Sequence, residues 1–384
     1  MTDTWEKFAA SLAGSLDVDG GLDPEWRESF AEIPRHLFVP EFWDAGTNTW
    51  TTNDADTDWW MAQIYADTSL ITQVRSSGPA ESGARRATSS SSMPGIMAWM
   101  LQAIGVTAGQ TVLEIGTGTG YNAGLLSHRL GEHAVTSIDI DPDLVSAARQ
   151  RLSSIGYAPV LAAGDGAAGY PDSGPYDAIL ATAAIDHIPP AWIDQLKPGG
   201  RIVADLRGEF SGAMTILRKT GSDSVEGRCN DFDAAFMPMR SDVRYPLRHG
   251  AATPLVMNRR NPQRGTTHTD VRHISTSAAL RFTAELQLGA TRAELFTTAD
   301  EIVLSAADES WATARLVADS DGSRAIQQGG PRRVWDSIEA AFSTWHGAGR
   351  PSLGAFGVTA TTEKGDQRVW LHAPSSSISW PLPI

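Results

Sequence analysis

Between about residues 95 and 207, short apolar segments of the chain alternate with segments of helical periodicity. The apolar segments TVLEIG, AVTSIDI, PVLAAGD, YDAILAT and GGRIVADL have the length and composition of buried strands. Helix-length connections between successive strands are typical of a parallel sheet, because parallel neighbours need crossovers of a dozen or more residues. The pattern therefore predicts a doubly wound α/β domain whose sheet is covered on both faces.

The first of these strands runs directly into a glycine-rich turn that opens a helix. Gly116, Gly118 and Gly120 permit a tight turn and a close approach of the backbone to a ligand. The third glycine comes one residue too early for the dinucleotide pattern G-x-G-x-x-G, and the Lys-Ser/Thr pair of a P-loop is missing. No cationic residue lines the turn to hold a diphosphate. The turn therefore favours an adenosyl ligand that carries a sulfonium over NAD.

Three carboxylates accompany this turn. Glu114 lies within the first strand, whereas Asp139 and Asp165 follow the second and third strands. The carboxyl ends of parallel strands meet at one edge, which is where open sheets bind ligands, and Asp139 is placed to accept hydrogen bonds from ribose hydroxyls. The alternative, in which these acids only cap helices, stays open at this point.

Five segments together resemble the protein-L-isoaspartate O-methyltransferases: IPRHLFVP, VLEIGTGTGY, SIDIDPDLV, GDGAAGYPDSGPYDAILATAA and IPPAWIDQLKPGGRIV. The resemblance covers roughly residues 25 to 245. It implies a Rossmann-like class I methyltransferase domain that uses S-adenosyl-L-methionine to esterify an aspartyl carboxylate of a peptide or protein. The cofactor-binding residues that it implies are Ser91, Glu114, Gly116, Thr117, Gly118, Thr119, Gly120, Tyr121, Asn122, Asp139, Ile140, Asp165 and Gly166.

The family's Thr-Ile-Ser-x-Pro loop corresponds to residues 90 to 94, with Ser92 at the position of the catalytic serine. The resemblance implies that Ser92 orients the substrate carboxylate by a hydrogen bond and does not itself attack. The chain departs from the family because Ser90 and Ser91 replace the usual Thr-Ile pair. Four consecutive serines are also typical of a flexible polar loop, so a loop without a catalytic role is the alternative.

Three further features depart from the compact family members: an acidic, Trp-rich insertion, the SSSSMP loop, and a long continuation beyond FMPMR. These features are similar to longer actinobacterial homologues that accompany ATP-grasp (graspetide) or lanthipeptide gene clusters. This finer resemblance implies methylation of one Asp in a ribosomally made, modified peptide, leading to a succinimide (aspartimide) that either persists or hydrolyses to isoaspartate. A general isoaspartyl repair methyltransferase and a non-catalytic S-adenosylmethionine-binding protein are the alternatives.

We expect three parts: an N-terminal helical segment with the substrate loop (1–94), the methyltransferase domain (95–248), and an α+β accessory domain for peptide recognition (249–384). In the accessory part, AALRFTAELQLG, RAELFTTADEIVLSA and GAFGVTATTEKGDQRVWLHA alternate with period two and predict strands, the last with a turn at Lys364-Gly365. PRRVWDSIEAAFSTWHG predicts a helix with Trp335, Ile338, Phe342 and Trp345 on one face.

Composition restricts the partners. A formal net charge of -14 disfavours nucleic acid, whose binding depends on Lys and Arg. No apolar run approaches the roughly 20 residues that cross a bilayer, and the start lacks a signal-peptide pattern, so we expect a cytoplasmic protein without a membrane partner. One cysteine, Cys229, and no Cys/His ligand spacing predict no metal site. Two features stay open: Trp59 and Trp60 are a peptide ledge or core anchors, and His187 binds substrate or only caps a strand end.

Overall fold

A computed structural model describes residues 5–17, 20–53, 57–76, 85–241, 262–289, 293–363 and 366–382. The N-terminal part consists of α1 (Trp5–Leu16), α2 (Pro24–Glu32), α3 (Arg35–Phe38), β1 (Glu41–Asp44), β2 (Thr49–Thr52), α4 (Thr57–Ile64), β3 (Leu70–Ser76) and β4 (Arg85–Ser91). Trp26 and Phe30, four residues apart on one face of α2, are buried. The four strands form one antiparallel sheet in the order β2-β1-β3-β4, so β4 lies at its edge.

The middle of the chain alternates between helices and strands, which confirms the predicted pattern. Its elements are α5 (Pro94–Ile104), β5 (Val112–Ile115), α6 (Tyr121–Leu130), β6 (Val135–Asp139), α7 (Pro142–Ser154), β7 (Val160–Ala163), β8 (Tyr176–Ala181), α8 (Pro190–Asp194), β9 (Leu196–Arg207), β10 (Gly212–Lys219) and β11 (Ser224–Cys229). β5 pairs in parallel with β6 and β8, and the parallel ladder continues to β7 and β9. The five strands thus form the parallel core of a doubly wound sheet.

The C-terminal part contributes helices and antiparallel strands. Its elements are β12 (Gln263–Thr267), α9 (His273–Thr276), α10 (Ala278–Leu288), β13 (Ala293–Thr297), β14 (Glu301–Ala306), β15 (Trp311–Arg315), β16 (Arg324–Gly329), α11 (Val334–Gly347), β17 (Phe356–Thr361), β18 (Gln367–Leu371) and β19 (Ser379–Pro381). β12 to β16 form a separate five-stranded sheet in the order β12-β16-β15-β14-β13. The predicted helix α11 is present and buries Trp335, Ile338, Phe342 and Trp345.

The last three strands extend the sheet of the methyltransferase part. β17 pairs with β11, which gives a ten-stranded sheet in the order β19-β18-β17-β11-β10-β9-β8-β5-β6-β7. The predicted strand pair β17 and β18 is present, whereas its Lys364-Gly365 turn lies outside the described residues. The expected boundary at 248/249 also lies outside them. The three-part division remains a prediction, but residues 356–381 belong to the central sheet.

The two faces of the central sheet bury different parts of the chain. Alternating residues separate the two cores: Val112 and Leu180 face a core shared with the N-terminal helices, whereas Leu113 and Ile179 face one shared with the C-terminal part. Period-two alternation of side chains across a strand explains this division. The C-terminal part is therefore the cover of one sheet face. In the described part of the chain no helix is long and apolar enough to span a bilayer.

The predicted strand AALRFTAELQLG is wrong, because these residues form helix α10. Leu280, Phe282 and Leu286 alternate as in a strand, but Thr283 and Glu285 between them are buried as well. A helix that is buried all round carries no amphipathic stripe, so its period is hidden in the sequence. The local signal that identifies it is Ser277, whose side chain accepts a hydrogen bond from the Leu280 amide as an N-cap.

The interpretation of the serine run as a mobile loop is also wrong. Residues 85–91 form β4, which pairs with β3 through Leu70 opposite Ser91 and Val74 opposite Ala87. Irregular register between Ile71 and Val74 marks a bulge in this pair. Residues 77–84, which precede β4, lie outside the described part. The serines are therefore held by sheet pairing despite their low strand propensity.

We predict that Phe282→Ala destabilises the whole protein by about 3–5 kcal/mol, the usual range for a buried Phe. Phe282 is fully buried in α10, and its ring meets Phe356 of β17 edge-on at 5.4 Å between centroids. The measurement is urea unfolding followed by circular dichroism. Phe296→Ala is the matched control, because Phe296 is 41% exposed, and it should change the free energy of unfolding little. Equal stability of both variants would contradict the packing of α10 on the central sheet.

Candidate active site

A cavity of about 300 Å³ lies at the carboxyl ends of the parallel strands β5, β6 and β8. The end of β4 and residues 235–240, here named the wall segment, close it on the other sides. It brings together almost all predicted site residues: Ser91, Ser92, Glu114, Gly116, Thr117, Gly118, Thr119, Tyr121, Asn122, Asp139, Ile140 and Gly166. Gly120 and Asp165 are the exceptions. The volume is at the lower end of that of small-molecule sites.

The glycine turn after β5 is fastened to the end of β6. The Gly118 amide donates to Asp139 Oδ2 at 2.8 Å, and the Asp141 amide donates to Oδ1 at 3.0 Å. Asp139 is buried, and this burial raises the pKa of its carboxyl above the ordinary value although the two amides oppose the shift. Asp139 thus shapes the turn, and its position at the cavity wall matches that expected for a ribose-binding carboxylate.

Gly120 and Asp165 have local structural roles instead of lining the cavity. Gly120 has φ of 88°, and a Cβ there would lie 2.9 Å from the Cβ of Ala148 in α7. It therefore allows α6 and α7 to approach closely. Asp165 is exposed and accepts a hydrogen bond from the Ala167 amide at 3.0 Å, so it caps the turn at residues 166–168. Asp165 thus has the geometry of the alternative named in the sequence analysis, in which the acid caps a helical turn.

Glu114 is the most perturbed acid of the cavity. Its side chain is fully buried, and it accepts hydrogen bonds from Asn122 Nδ2 at 2.7 Å and from Ser137 Oγ at 2.6 Å. Ser137 in turn shares a hydrogen bond of 2.7 Å with Thr117 of the glycine turn. Burial raises the pKa of Glu114 to about 7. A cationic ligand would favour its ionised form.

The residues present fit S-adenosylmethionine. Asn122 and Tyr121 line the cavity, and within the described part of the chain Asn122 Oδ1 and the Tyr121 hydroxyl are buried without a hydrogen-bond partner. Buried polar atoms rarely stay unpaired, so this part of the wall has unused hydrogen-bonding capacity beside the cavity. Glu114 and Asp139 suit a cation and ribose hydroxyls, and Ile138, Ile140 and Leu144 supply apolar wall for a base.

The serines at the end of β4 are held from behind by Arg35, which the sequence analysis did not assign. Arg35 is fully buried; its Nε and Nη2 donate to Ser91 Oγ at 3.3 Å, and Nη2 donates to the Ser92 carbonyl at 3.2 Å. Further bonds go to the carbonyls of Ile64, Ala66 and Thr68. Burial lowers the pKa of Arg35 to about 10, so it stays charged at neutral pH. Arg35 lies in the segment IPRHLFVP, which carries part of the family resemblance and is the sequence feature that could have pointed to it.

Residues of the wall segment also line the cavity without having been predicted. Met237 and Met239 pair with Ala184, which follows β8. The Ala184 amide donates to the Met237 carbonyl at 2.9 Å, and the Met239 amide donates to the Ala184 carbonyl at 2.8 Å. Arg240 reaches across to β4, where it donates to the Thr88 carbonyl at 3.3 Å. The sequence FMPMR, residues 236–240, carries part of the resemblance to the longer homologues, but only the fold shows that these residues lie against the cavity.

Three other features lie apart from the cavity lining. The His187 ring pairs with Asp186 through Nδ1 at 2.6 Å. Trp60 is buried and stacks on Phe42 at 5.5 Å, which makes it a core anchor, whereas Trp59 is 50% exposed. In the described part of the chain one group of potential metal ligands was found, at the surface: Glu28, Glu32 and His128. Exposed carboxylates commonly meet without a metal ion, so this group indicates none.

Comparison with known proteins decides the family. The family model "Protein-L-isoaspartate(D-aspartate) O-methyltransferase (PCMT)" matches residues 18–244, more than half of the chain. The chain belongs to this family. It is accordingly an S-adenosylmethionine-dependent protein carboxyl O-methyltransferase, and cofactor binding by the glycine turn and its acids remains a prediction.

Relatives and a solved structure show how far the likeness extends. The chain is 36% identical over 194 residues to protein-L-isoaspartate O-methyltransferase 2 of Shewanella sediminis, which is 50% of this chain and 66% of that protein. It is 34% identical over 233 residues to the protein of the same name from Archaeoglobus fulgidus, 60% of this chain and 92% of that one. A solved protein-L-isoaspartate O-methyltransferase aligns with 94% of this chain and 99% of its own, with TM-score 0.53 and 21% identity. A similar fold therefore includes most of the C-terminal part.

We predict that affinity for S-adenosylmethionine rises as the pH increases from 6 to 8. With a pKa of about 7, Glu114 is mostly protonated at pH 6 and mostly ionised at pH 8. A cationic ligand must displace the proton, which costs roughly up to tenfold in affinity at pH 6. Calorimetric dissociation constants across the range test this. Glu114→Gln is the control, because it lacks the titrating carboxyl and shows only the pH dependence that comes from the ligand itself. Equal pH slopes of the affinity for both proteins would contradict the role of Glu114.

Proposed function

We propose that this protein esterifies the free carboxylate of isoaspartyl residues in peptides and proteins. The supporting observation is that one cavity is lined both by the glycine turn with Asp139 and by Ser92 at the end of β4. A methyl donor on the turn and a carboxylate at Ser92 would share one small space. The family to which the chain belongs provides the same chemistry.

The reaction needs no strong base. S-adenosylmethionine supplies an electrophilic methyl group when it is bound. A carboxylate with an ordinary pKa near 4 is already ionised at neutral pH, so the protein has to orient its oxygen and exclude water. Ser92 would donate a hydrogen bond to the carboxylate oxygen that does not attack. The Arg35 cation behind the Ser92 carbonyl fixes this backbone and favours an anion nearby.

The ester then reacts without further help from the residues described. A methyl ester is a better acyl electrophile than a carboxylate. The neighbouring backbone nitrogen attacks the ester carbonyl, loses its proton and expels methanol, which gives a succinimide. Hydrolysis of the succinimide opens the ring to aspartate or isoaspartate. In a repair reaction, repeated cycles accumulate the normal aspartyl peptide.

Methylation of one Asp in a modified, ribosomally made peptide is the second candidate. Two observations favour it: four consecutive serines, residues 89–92, line one wall of the cavity, and the inserted segment presents partly exposed tryptophans, Trp50 and Trp59. Aromatic side chains of this kind are common anchors for peptides. The C-terminal part does not discriminate between the candidates, because a similar fold accompanies a protein named as an isoaspartate methyltransferase.

We predict that Ser92→Ala lowers kcat about 10- to 100-fold, the effect of losing a hydrogen bond to a charged group. The dissociation constant for S-adenosylhomocysteine should stay within twofold of wild type, because Ser92 contacts the substrate carboxylate. Ser90→Ala, two residues earlier at the end of β4, is the matched control and should retain turnover. Loss of cofactor affinity with unchanged kcat would assign Ser92 to the cofactor instead.

We predict methylation of an unrelated isoaspartyl peptide, followed by loss of methanol. Mass spectrometry of such a peptide, its aspartyl counterpart and a modified precursor encoded near the gene measures both steps. A gain of one methyl group on the isoaspartyl peptide supports the proposal. Methylation of the precursor alone would establish the second candidate, and methylation of none would leave a protein that binds S-adenosylmethionine without this activity.

A further inference from the structure

Helix α10 of the C-terminal part presents two charged side chains, one helical turn apart, to the methyltransferase part. Glu285 is buried and accepts hydrogen bonds from the consecutive amides of Glu209, Phe210 and Ser211 at 2.9 to 3.1 Å. These amides form the turn between β9 and β10. Arg281 donates to Asp233 Oδ2 at 3.0 Å. The helix is thus fastened to the same edge of the central sheet by an anion and by a cation.

A line of alternating charges continues from Arg281 toward the cavity. Asp233 accepts a second hydrogen bond from Arg207 Nη2, and Arg207 Nε donates to Asp205 Oδ2 at 2.8 Å. Asp205 Oδ2 also accepts from the backbone amide of Phe236 at 3.2 Å. We name Arg281, Asp233, Arg207 and Asp205 the charge network. It ends on the first aromatic residue of the wall segment.

Phe236, the residue on which the charge network ends, is part of the cavity wall. Phe236, Met237 and Met239 line the cavity, and the segment is otherwise held by the backbone bonds of Met237 and Met239 to Ala184 and by the bond from Arg240 to the Thr88 carbonyl. The Phe236 amide is the next backbone donor along this segment, and its acceptor is Asp205. The position of the Phe236 backbone therefore depends on the orientation of the Asp205 carboxylate.

The charge network is not explained by a contribution to the stability of the folded protein alone. Asp205 is fully buried, and its Oδ1 has no hydrogen-bond partner within the described residues. Burial raises the pKa of Asp205 to about 6 in spite of the Arg207 guanidinium beside it. Buried ion networks are often no more stable than apolar packing of the same volume, but they fix one geometry. The fixed geometry here is that of a cavity wall.

We propose that α10 is a positioning element of the cofactor cavity, which acts through Arg281 and the charge network on the backbone at Phe236. Arg281, Asp233, Arg207 and Asp205 are positioning residues in this account, because none of them lines the cavity. The inference deepens the methyltransferase function that the family establishes. It does not depend on which carboxylate is methylated, so cofactor binding tests it separately from the proposed substrate.

Arg281→Gln should weaken binding of S-adenosylhomocysteine roughly three- to thirtyfold, the range found for residues that couple distant sites. Its side chain is 32% exposed, so the melting temperature should change by only about 2 °C. Arg281→Lys keeps the charge and should recover most of the affinity. The matched control is Arg333→Gln, which removes an exposed ion pair with Asp336 in the same part of the chain and should leave affinity unchanged.

A double-mutant cycle with Asp233→Asn separates positioning from general destabilisation. If the charge network acts as one unit, the affinity losses of Arg281→Gln and Asp233→Asn should be strongly non-additive. Wild-type affinity of Arg281→Gln would overturn the proposal. So would additive losses that follow the melting temperatures of the variants, because these are the signature of a merely structural role.

Discussion

The buried guanidinium of Arg35 joins the segments on which the cavity depends. It lies between α3, the backbone at residues 64–68 and the end of β4, and donates to four carbonyls and one hydroxyl. Each buried acceptor left without a donor would cost about 1–3 kcal/mol. Without Arg35 the edge strand β4 loses its attachment behind Ser92. The polar serine run is thus held as a cavity wall both by the pairing of β4 with β3 and by this cation.

The opposite wall is linked to the C-terminal part of the chain through the charge network. One face of the central sheet packs on the N-terminal helices and the other on α10, α11 and the strands that follow. β17 to β19 continue the central sheet of the methyltransferase part. The C-terminal part is therefore not a separate substrate-binding domain joined to a methyltransferase domain that is complete without it. If residues 249–384 recognise a peptide, as predicted, then the same part of the chain must both bind the peptide and support the cavity.

Local signals predicted the parallel core and most of the cavity. The strand, glycine turn and helix at residues 112–130 are encoded within one short segment, and Asp139 follows from the strand-end rule. The same rule predicted a cofactor role for Asp165, which lies outside the cavity lining and accepts a hydrogen bond from the Ala167 amide of the following turn. Helix α10 was mistaken for a strand because burial on all sides removed its helical period. Arg35 and the wall segment were missed, since their roles arise from contacts between residues far apart in the chain.

The central claim is that the cofactor and the substrate carboxylate meet in the cavity between Asp139 and Ser92. A crystal structure with S-adenosylhomocysteine and an isoaspartyl peptide tests it most directly. The account predicts ribose hydroxyls within hydrogen-bond distance of the Asp139 carboxylate and a peptide carboxylate oxygen within that distance of the Ser92 hydroxyl. A cofactor bound away from the glycine turn, or a peptide carboxylate held by other residues, would contradict it.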